Sequence, residues 1–205
     1  MSQEEEESIK VTLLGNSGVG KTCIIKRYLD DEFSLEEQVT FSANFSQKEV
    51  TIGDKTVILD IWDTAGQEQY RSMGRNFYKD SYIVCLVYDI TNKNSFEDLK
   101  NIWYNELITY GEKYTVTAVV GNKSDCFENE EVKDEEASNY AKSIKANYFM
   151  VSAKEGINID SMFKTLAASY LGPEFSAKIK EIINDKGSSQ KIRKTKSKKK
   201  GKKCC

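Results

Sequence analysis

The chain has 205 residues, 39% of them hydrophobic and 30% charged, with five cysteines, no histidine and a formal net charge of −2. That length builds one substantial core and is short for two, and the absence of histidine removes Ser-His-Asp catalysis and histidine-ligated metals. Residues 4–7 are all glutamate, unlike a secretion signal, and no apolar run approaches the about 18 residues that cross a bilayer, so a reducing, cytosolic setting without a disulfide framework is expected.

After this acidic arm (residues 1–8), β-branched residues at 9–14 predict a strand. Gly15-Asn16-Ser17-Gly18-Val19-Gly20-Lys21-Thr22 follows it and fits G-x-x-x-x-G-K-S/T, with a helix pattern at 21–30. Phosphates need many donors at close range. Glycines let backbone N–H groups turn inward, a helix N-terminus adds a favourable dipole, Lys21 supplies a point charge and the Thr22 hydroxyl suits Mg²⁺. Strand patterns at 45–52 and 56–62 flank Gly53-Asp54, which reads as the turn of an antiparallel hairpin. Asp63, closing the second of these, suits a metal partner acting through water; Gly66 allows close backbone approach to a phosphate, and Gln67 is placed to orient a water.

Further along come a helix pattern near 68–78, a strand at 82–88, a helix at 95–110 and a strand at 115–120. Asn122-Lys123-Ser124-Asp125 then offers a carboxylate able to accept both hydrogen bonds of guanine N1–H and its 2-amino group, donors that adenine lacks. After a helix pattern at 133–146 and a strand at 147–151, Ser152-Ala153-Lys154 offers a backbone N–H for the guanine O6 and a lysine stem for the ring. A last helix at 159–171 is closed by Gly172-Pro173; Phe175, Ile179, Ile182 and Ile183 keep helical spacing beyond it, and Gly187-Ser188-Ser189 opens a basic tail. Alternating strands and helices predict an α/β fold of three layers, a six-stranded, mostly parallel sheet with one antiparallel strand and about five helices on both faces. Residues 9–172 are expected to form its globular body and 188–205 a flexible tail; 173–187 read as an amphipathic helical extension, by default packed on the core, with a docking segment, a continuation of the last helix or a loosely ordered linker as alternatives.

The order and intervals of these motifs resemble the Ras-like small GTPases, and within them the Rab family, over about residues 9–172 and the terminal cysteines. Rab-like stretches are residues 62–68 (Trp-Asp-Thr-Ala-Gly-Gln-Glu), Tyr70-Arg71-Ser72, residues 86–91 and Cys204-Cys205. The resemblance implies a GTP hydrolase of low intrinsic rate, with Gln67 and Lys21 in the catalytic roles. Phosphates would be held by Asn16, Ser17, Gly18, Val19, Gly20, Lys21, Thr22, Cys23, Thr40 and Gly66, and guanine by Phe33, Asn122, Lys123, Asp125, Ser152, Ala153 and Lys154. Mg²⁺ would be held by Thr22, by Thr40 and, through water, by Asp63. Phe41, Phe45, Trp62 and Phe77 would face effectors, although core packing accounts equally for the matching aromatics Phe45, Trp62 and Phe77. The implied partners are an exchange factor, a GTPase-activating protein, a GDP-dissociation inhibitor with escort and prenylation machinery, and GTP-dependent effectors in vesicle traffic. The chain is expected to be a monomer that binds no nucleic acid. Two segments depart from the family: Phe41-Ser42-Ala43-Asn44 stands for the usual Ile-Gly-Val-Asp, and Lys79-Asp80-Ser81 for Arg-Gly-Ala.

Residues 191–203 carry nine basic residues and no acid, which leaves 21 basic against 32 acidic residues elsewhere, a net −11. Lysines alone would also suit nuclear localisation or RNA. Cys204 and Cys205 instead resemble a double-geranylgeranylation signal, and two lipid chains beside a basic cluster would hold the protein on the cytoplasmic face of a membrane, cycling with the cytosol. Other readings are a module that holds GTP without hydrolysing it, a Ras- or Rho-like signalling switch, and a small-metabolite kinase. Gln67 and Gly66 weigh against the first, the absence of C-a-a-X against the second, and the 122–125 motif against the third.

Overall fold

The computed structural model describes residues 7–35, 40, 44–64, 79–111 and 116–180. Six strands, β1 (Ser8–Leu14), β2 (Asn44–Ile52), β3 (Lys55–Asp63), β4 (Ile83–Asp89), β5 (Val116–Asn122) and β6 (Asn147–Met150), form one sheet in the order β2-β3-β1-β4-β5-β6. Only the β2–β3 pair is antiparallel. Its turn is the predicted Gly53-Asp54: Ile52 pairs with Lys55, and Gly53 takes φ 66°, a left-handed conformation that glycine adopts without strain.

The sheet divides two cores, and β4 shows why its sequence is continuously apolar. Ile83, Cys85 and Val87 enter one core, with Ile24, Ile25 and Tyr28 of α1 (Lys21–Asp30) and Met162, Phe163 and Leu166 of α4 (Ile159–Leu171). Val84, Leu86 and Tyr88 enter the other. There they meet Phe96, Leu99, Trp103 and Leu107 of α2 (residues 93–110) and Ala137 and Ala141 of α3 (Asp134–Ser143). A strand buried on both faces has no polar alternation to keep. The expected helix near 68–78 lies outside the described residues.

Several bounds differ from the sequence reading for local reasons. Helix α2 starts at Lys93, not Ser95, because the Asn92 side chain caps it by accepting from the Ser95 N–H (3.2 Å), and its residues Leu99–Trp103 form a π-helical segment. Helix α3 ends at Ser143 in a Schellman motif: Lys145 takes φ 56°, Ala146 N–H donates to Ala141 O (2.9 Å) and Lys145 N–H to Lys142 O (3.1 Å). A short 3₁₀ turn, Ser124–Asn129, follows β5.

Gly172 caps α4 with φ 129°, and Pro173 opens a further helix, α5, described over residues 173–180. Ile179 of α5 is 3% exposed within the first core, Phe175 packs against that core, and Lys178 pairs with Asp54 of the hairpin at 2.6 Å. Among the described residues no helix is long and apolar enough to cross a membrane.

Candidate functional site

Residues 15–20 join β1 to α1 at the carboxyl edge of the sheet, and two of their glycines are required by contact. A Cβ on Gly15 would sit 2.2 Å from the Val87 carbonyl oxygen, and one on Gly20 (φ 94°) 2.4 Å from Asn122 Nδ2. With Gly20 as its N-cap, α1 begins without a side-chain cap, and the positive end of its dipole faces the loop, where an anion is favoured. Lys21 folds back over the loop and donates from Nζ to Gly15 O (2.8 Å) and Asn16 O (3.0 Å). Burial pulls its ammonium down to about 8, with Asp63 pushing the other way. A buried lysine held by two carbonyls and short of negative charge is a ready partner for a phosphate.

Ser17, Gly18, Gly20, Lys21, Thr22 and Cys23 all line the cleft in front of this loop. Asn16 and Val19 do not. The Val19 side chain is in the core, and its carbonyl accepts from Asn122 Nδ2 (2.9 Å). The Asn16 side chain reaches α2 instead.

Beside Lys21, three oxygen ligands converge. The Thr22 hydroxyl donates to Asp63 Oδ2 (2.7 Å) and lies 2.8 Å from the Thr40 hydroxyl, which is 3.5 Å from the same carboxylate oxygen. Two hydroxyls and a buried carboxylate, without sulfur or imidazole, form a hard donor set that fits Mg²⁺. Gly66 and Gln67 lie outside the described residues.

At the far end of the cleft, β5 delivers Asn122, and Lys123 takes φ 67° so that Asp125 turns inward. Asp125 Oδ1 accepts from the Ser152 hydroxyl (2.6 Å), and Lys154 Nζ stands 3.7 Å from Oδ2. Asn122 Oδ1 accepts from Ala153 N–H (3.2 Å), while Lys123 Nζ is held by Asp89 at 2.7 Å. The carboxylate is thus oriented by its neighbours at the cleft wall, where a planar ring with two adjacent N–H donors could meet it. Phe33, half-buried, lines the cleft, and so do Ser34, Leu35 and Cys126, which belong to no motif.

Arg27 belongs to no motif either. It donates from Nε to Ala153 O (2.8 Å) and from Nη2 to Lys154 O (3.0 Å), bracing the 152–154 loop from α1. Nothing in the sequence links these positions, 126 and 127 residues apart.

The model of the Ras family matches residues 10–171 of the chain, most of its length. This chain is a Rab-type member of the Ras family. It is 39% identical to the Ypt/Rab-type GTPase YPT7 of Saccharomyces cerevisiae over 178 residues, which cover 83% of this chain and 85% of that protein. It is 39% identical to the human Ras-related protein Rab-21 over 183 residues (89% and 80% of the two chains) and 37% identical to the Drosophila melanogaster Ras-related protein Rab7 over 190 residues (90% and 89%). Members of the Ras family are small GTPases that bind GTP and GDP, and the fold described above is theirs.

Within this Rab-type chain, one departure from the family pattern is described in full. At Lys79-Asp80-Ser81, Asp80 takes φ 61° where the family has glycine, a conformation that aspartate tolerates better than most residues. Ser81 is fully buried and its hydroxyl pairs with that of Thr12 (2.8 Å). The replacement is therefore accommodated by a left-handed aspartate and a buried hydroxyl pair. Of the other segment only Asn44, the first residue of β2, is described. Of the expected effector face, Phe45 is 49% exposed and lies 5.1 Å from Trp62, ring centre to ring centre. Phe41 and Phe77 fall outside the described residues, as do Cys204 and Cys205.

Proposed function

We propose that this Ras-family protein grips GTP and Mg²⁺ along the cleft, hydrolyses the nucleotide slowly, and uses the difference between its GTP and GDP states to recruit effectors in vesicle traffic. One observation carries the reading. The Thr22 and Thr40 hydroxyls, with the Asp63 carboxylate hydrogen-bonded behind them, the Lys21 ammonium and the oriented Asp125 carboxylate are strung along one cleft, in the order in which a nucleoside triphosphate presents its metal, phosphates and base.

Mg²⁺, when bound to Thr22 and Thr40 and through water to Asp63, would neutralise charge on the β- and γ-phosphate oxygens. Lys21 contributes a fixed positive charge to the same oxygens, and the glycine loop and α1 N-terminus contribute N–H donors. Asp125 selects guanine, because its carboxylate can accept from both N1–H and the 2-amino group, and adenine brings neither donor. Asn122 and Lys154 hold the two loops that frame the ring.

GTP differs from GDP by one phosphoryl group, so the switch has to work through residues that touch it: Thr40 on one segment and Gly66 on the other. Gln67 positions the attacking water and has no useful pKa of its own. An activating protein that supplies an arginine would accelerate hydrolysis by a factor on the order of 10³–10⁵. The exchange factor, dissociation inhibitor and prenylation machinery inferred above act on the same cycle, with the Cys204-Cys205 tail as the membrane anchor.

Single-turnover GTP hydrolysis tests the proposal. Gln67→Leu is expected to leave GTP binding intact and to remove most of the turnover, with and without an activator, and Thr22→Asn to weaken Mg²⁺-supported GTP binding. Unchanged turnover in Gln67→Leu refutes the role given to that glutamine. For the anchor, Cys204→Ser with Cys205→Ser should leave nucleotide affinity unchanged and make the protein cytosolic; persistent membrane binding refutes it.

A further inference from the structure

Asn16 belongs to the glycine loop, yet its side chain serves a different element. Its Nδ2 donates to Asp98 Oδ2 (2.6 Å), and its Oδ1 accepts from Trp103 Nε1 (2.7 Å). The arrangement has one possible polarity, since an indole N–H only donates and a carboxylate only accepts. Asp98 and Trp103 are five residues apart, which in a regular α-helix would set them about 140° apart around the axis. Residues Leu99–Trp103 are instead π-helical, with Tyr104 N–H donating to Leu99 O, and the wider turn brings positions five apart towards one side. Phe96, Leu99, Trp103 and Leu107 fix this stretch in the second core. The backbone of the same asparagine is one of the two acceptors that hold Lys21 Nζ, at 3.0 Å.

We propose that Asp98 and Trp103 are positioning residues: through Asn16, the π-helical segment of α2 sets the height of the glycine loop and the direction of the Lys21 ammonium. The inference rests on residues 15–22 being the phosphate site. Its consequence is selective. Loosening the clamp weakens the hold on the β-phosphate and leaves recognition of the base, at the other end of the cleft, as it was.

Dissociation of GDP from the full chain in Mg²⁺ is the readout, alongside competition by GMP, which lacks the β-phosphate. Trp103→Phe keeps most of the buried ring and removes the N–H; it is expected to speed GDP release roughly 3- to 10-fold, the worth of one such bond, with GMP affinity and the preference for guanine over adenine unchanged. Asn16→Asp sets a second carboxylate against Asp98 and should speed release further. Adding Asp98→Asn to Asn16→Asp restores a donor–acceptor pair with its polarity reversed, and should return release to within about twofold of the parent.

GDP release within twofold of the parent in both Trp103→Phe and Asp98→Ala, or failure of the paired exchange to recover what Asn16→Asp loses, overturns the proposal. So does an equal loss for GMP and GDP, which would mean general loosening of the fold. Lys21→Ala separates the two levels. If it speeds GDP release while the α2 variants do not, only this inference fails; if it too has no effect, the phosphate-site reading fails with it.

Discussion

Asn122→Ala removes a carboxamide that is 2% exposed and ties three segments of the cleft together. Its Nδ2 donates to Val19 O at 2.9 Å in the glycine loop, and its Oδ1 accepts from Ala153 N–H at 3.2 Å in the 152–154 loop. Neither partner is at the surface, so truncation leaves each short of a bond, at about 1–3 kcal/mol apiece and about 2–6 kcal/mol together. For a chain of this size about 1 kcal/mol moves Tm by roughly 2–4 °C. A fall of about 4–24 °C is therefore expected for nucleotide-free protein, read by thermal unfolding. GDP release should also quicken, because the loops that frame the ligand lose their common tie. Asn122→Asp sharpens the test: it keeps an acceptor for Ala153 N–H but sets a carboxylate against the Val19 carbonyl, and should be no milder than alanine. A Tm shift below about 2 °C with unchanged GDP release in Asn122→Ala would refute the reasoning.

Lys21 gives a proton-linked prediction. Burial lowers its pKa to about 8 against 10.5 for a free lysine, so between those values the folded chain binds fewer protons than the unfolded one. Stability of nucleotide-free protein should accordingly rise with pH across that window, the burial cost being full below about 8 and gone above 10.5. Phosphate supplies the missing counter-charge, so GDP binding just above pH 8 should take up a proton; calorimetry in buffers of different ionisation enthalpy checks this, and no uptake contradicts it. Arg27→Ala should weaken GDP and guanosine alike by roughly tenfold through the freed 152–154 loop, and Arg27→Lys should fail to rescue it because one ammonium cannot span both carbonyls. In α5, Ile179→Ala should cost about 2–5 kcal/mol in an unfolding titration. Lys178→Ala, at a solvent-exposed pair with Asp54, should leave the midpoint unchanged.

The architecture was readable because β4 and β5 are apolar on both faces and because Gly53-Asp54 is a turn with few alternatives. The cleft residues were readable wherever the chemistry sits in a short contiguous motif, as at 15–22, 122–125 and 152–154. What escaped depends on contacts between distant positions or on unusual backbone. Lys145 ends α3 in the conformation usually taken by glycine, so the stop carried no familiar mark. Helical periodicity could not disclose the π-helical segment at Leu99–Trp103, since its point is to break that periodicity. Arg27 looked like any surface arginine on an amphipathic helix. The place of Asn16 in the motif says nothing of its side chain, which the fold turns towards Asp98 and Trp103.

The central claim, that the cleft reads a guanine nucleotide with Asp125 at the base and Lys21 at the phosphates, is tested most directly by titrating parent and Asp125→Asn protein with GDP, ADP and xanthosine diphosphate. Parent protein should favour GDP over ADP by a factor on the order of 10⁴, as expected for a site built to accept two hydrogen bonds that the wrong ring cannot donate. Asp125→Asn should favour xanthosine diphosphate over GDP, because its amide can donate to the oxygen that xanthine carries where guanine has an amino group. Similar affinities of the parent for GDP and ADP, or an Asp125→Asn protein that still prefers GDP, would contradict the account.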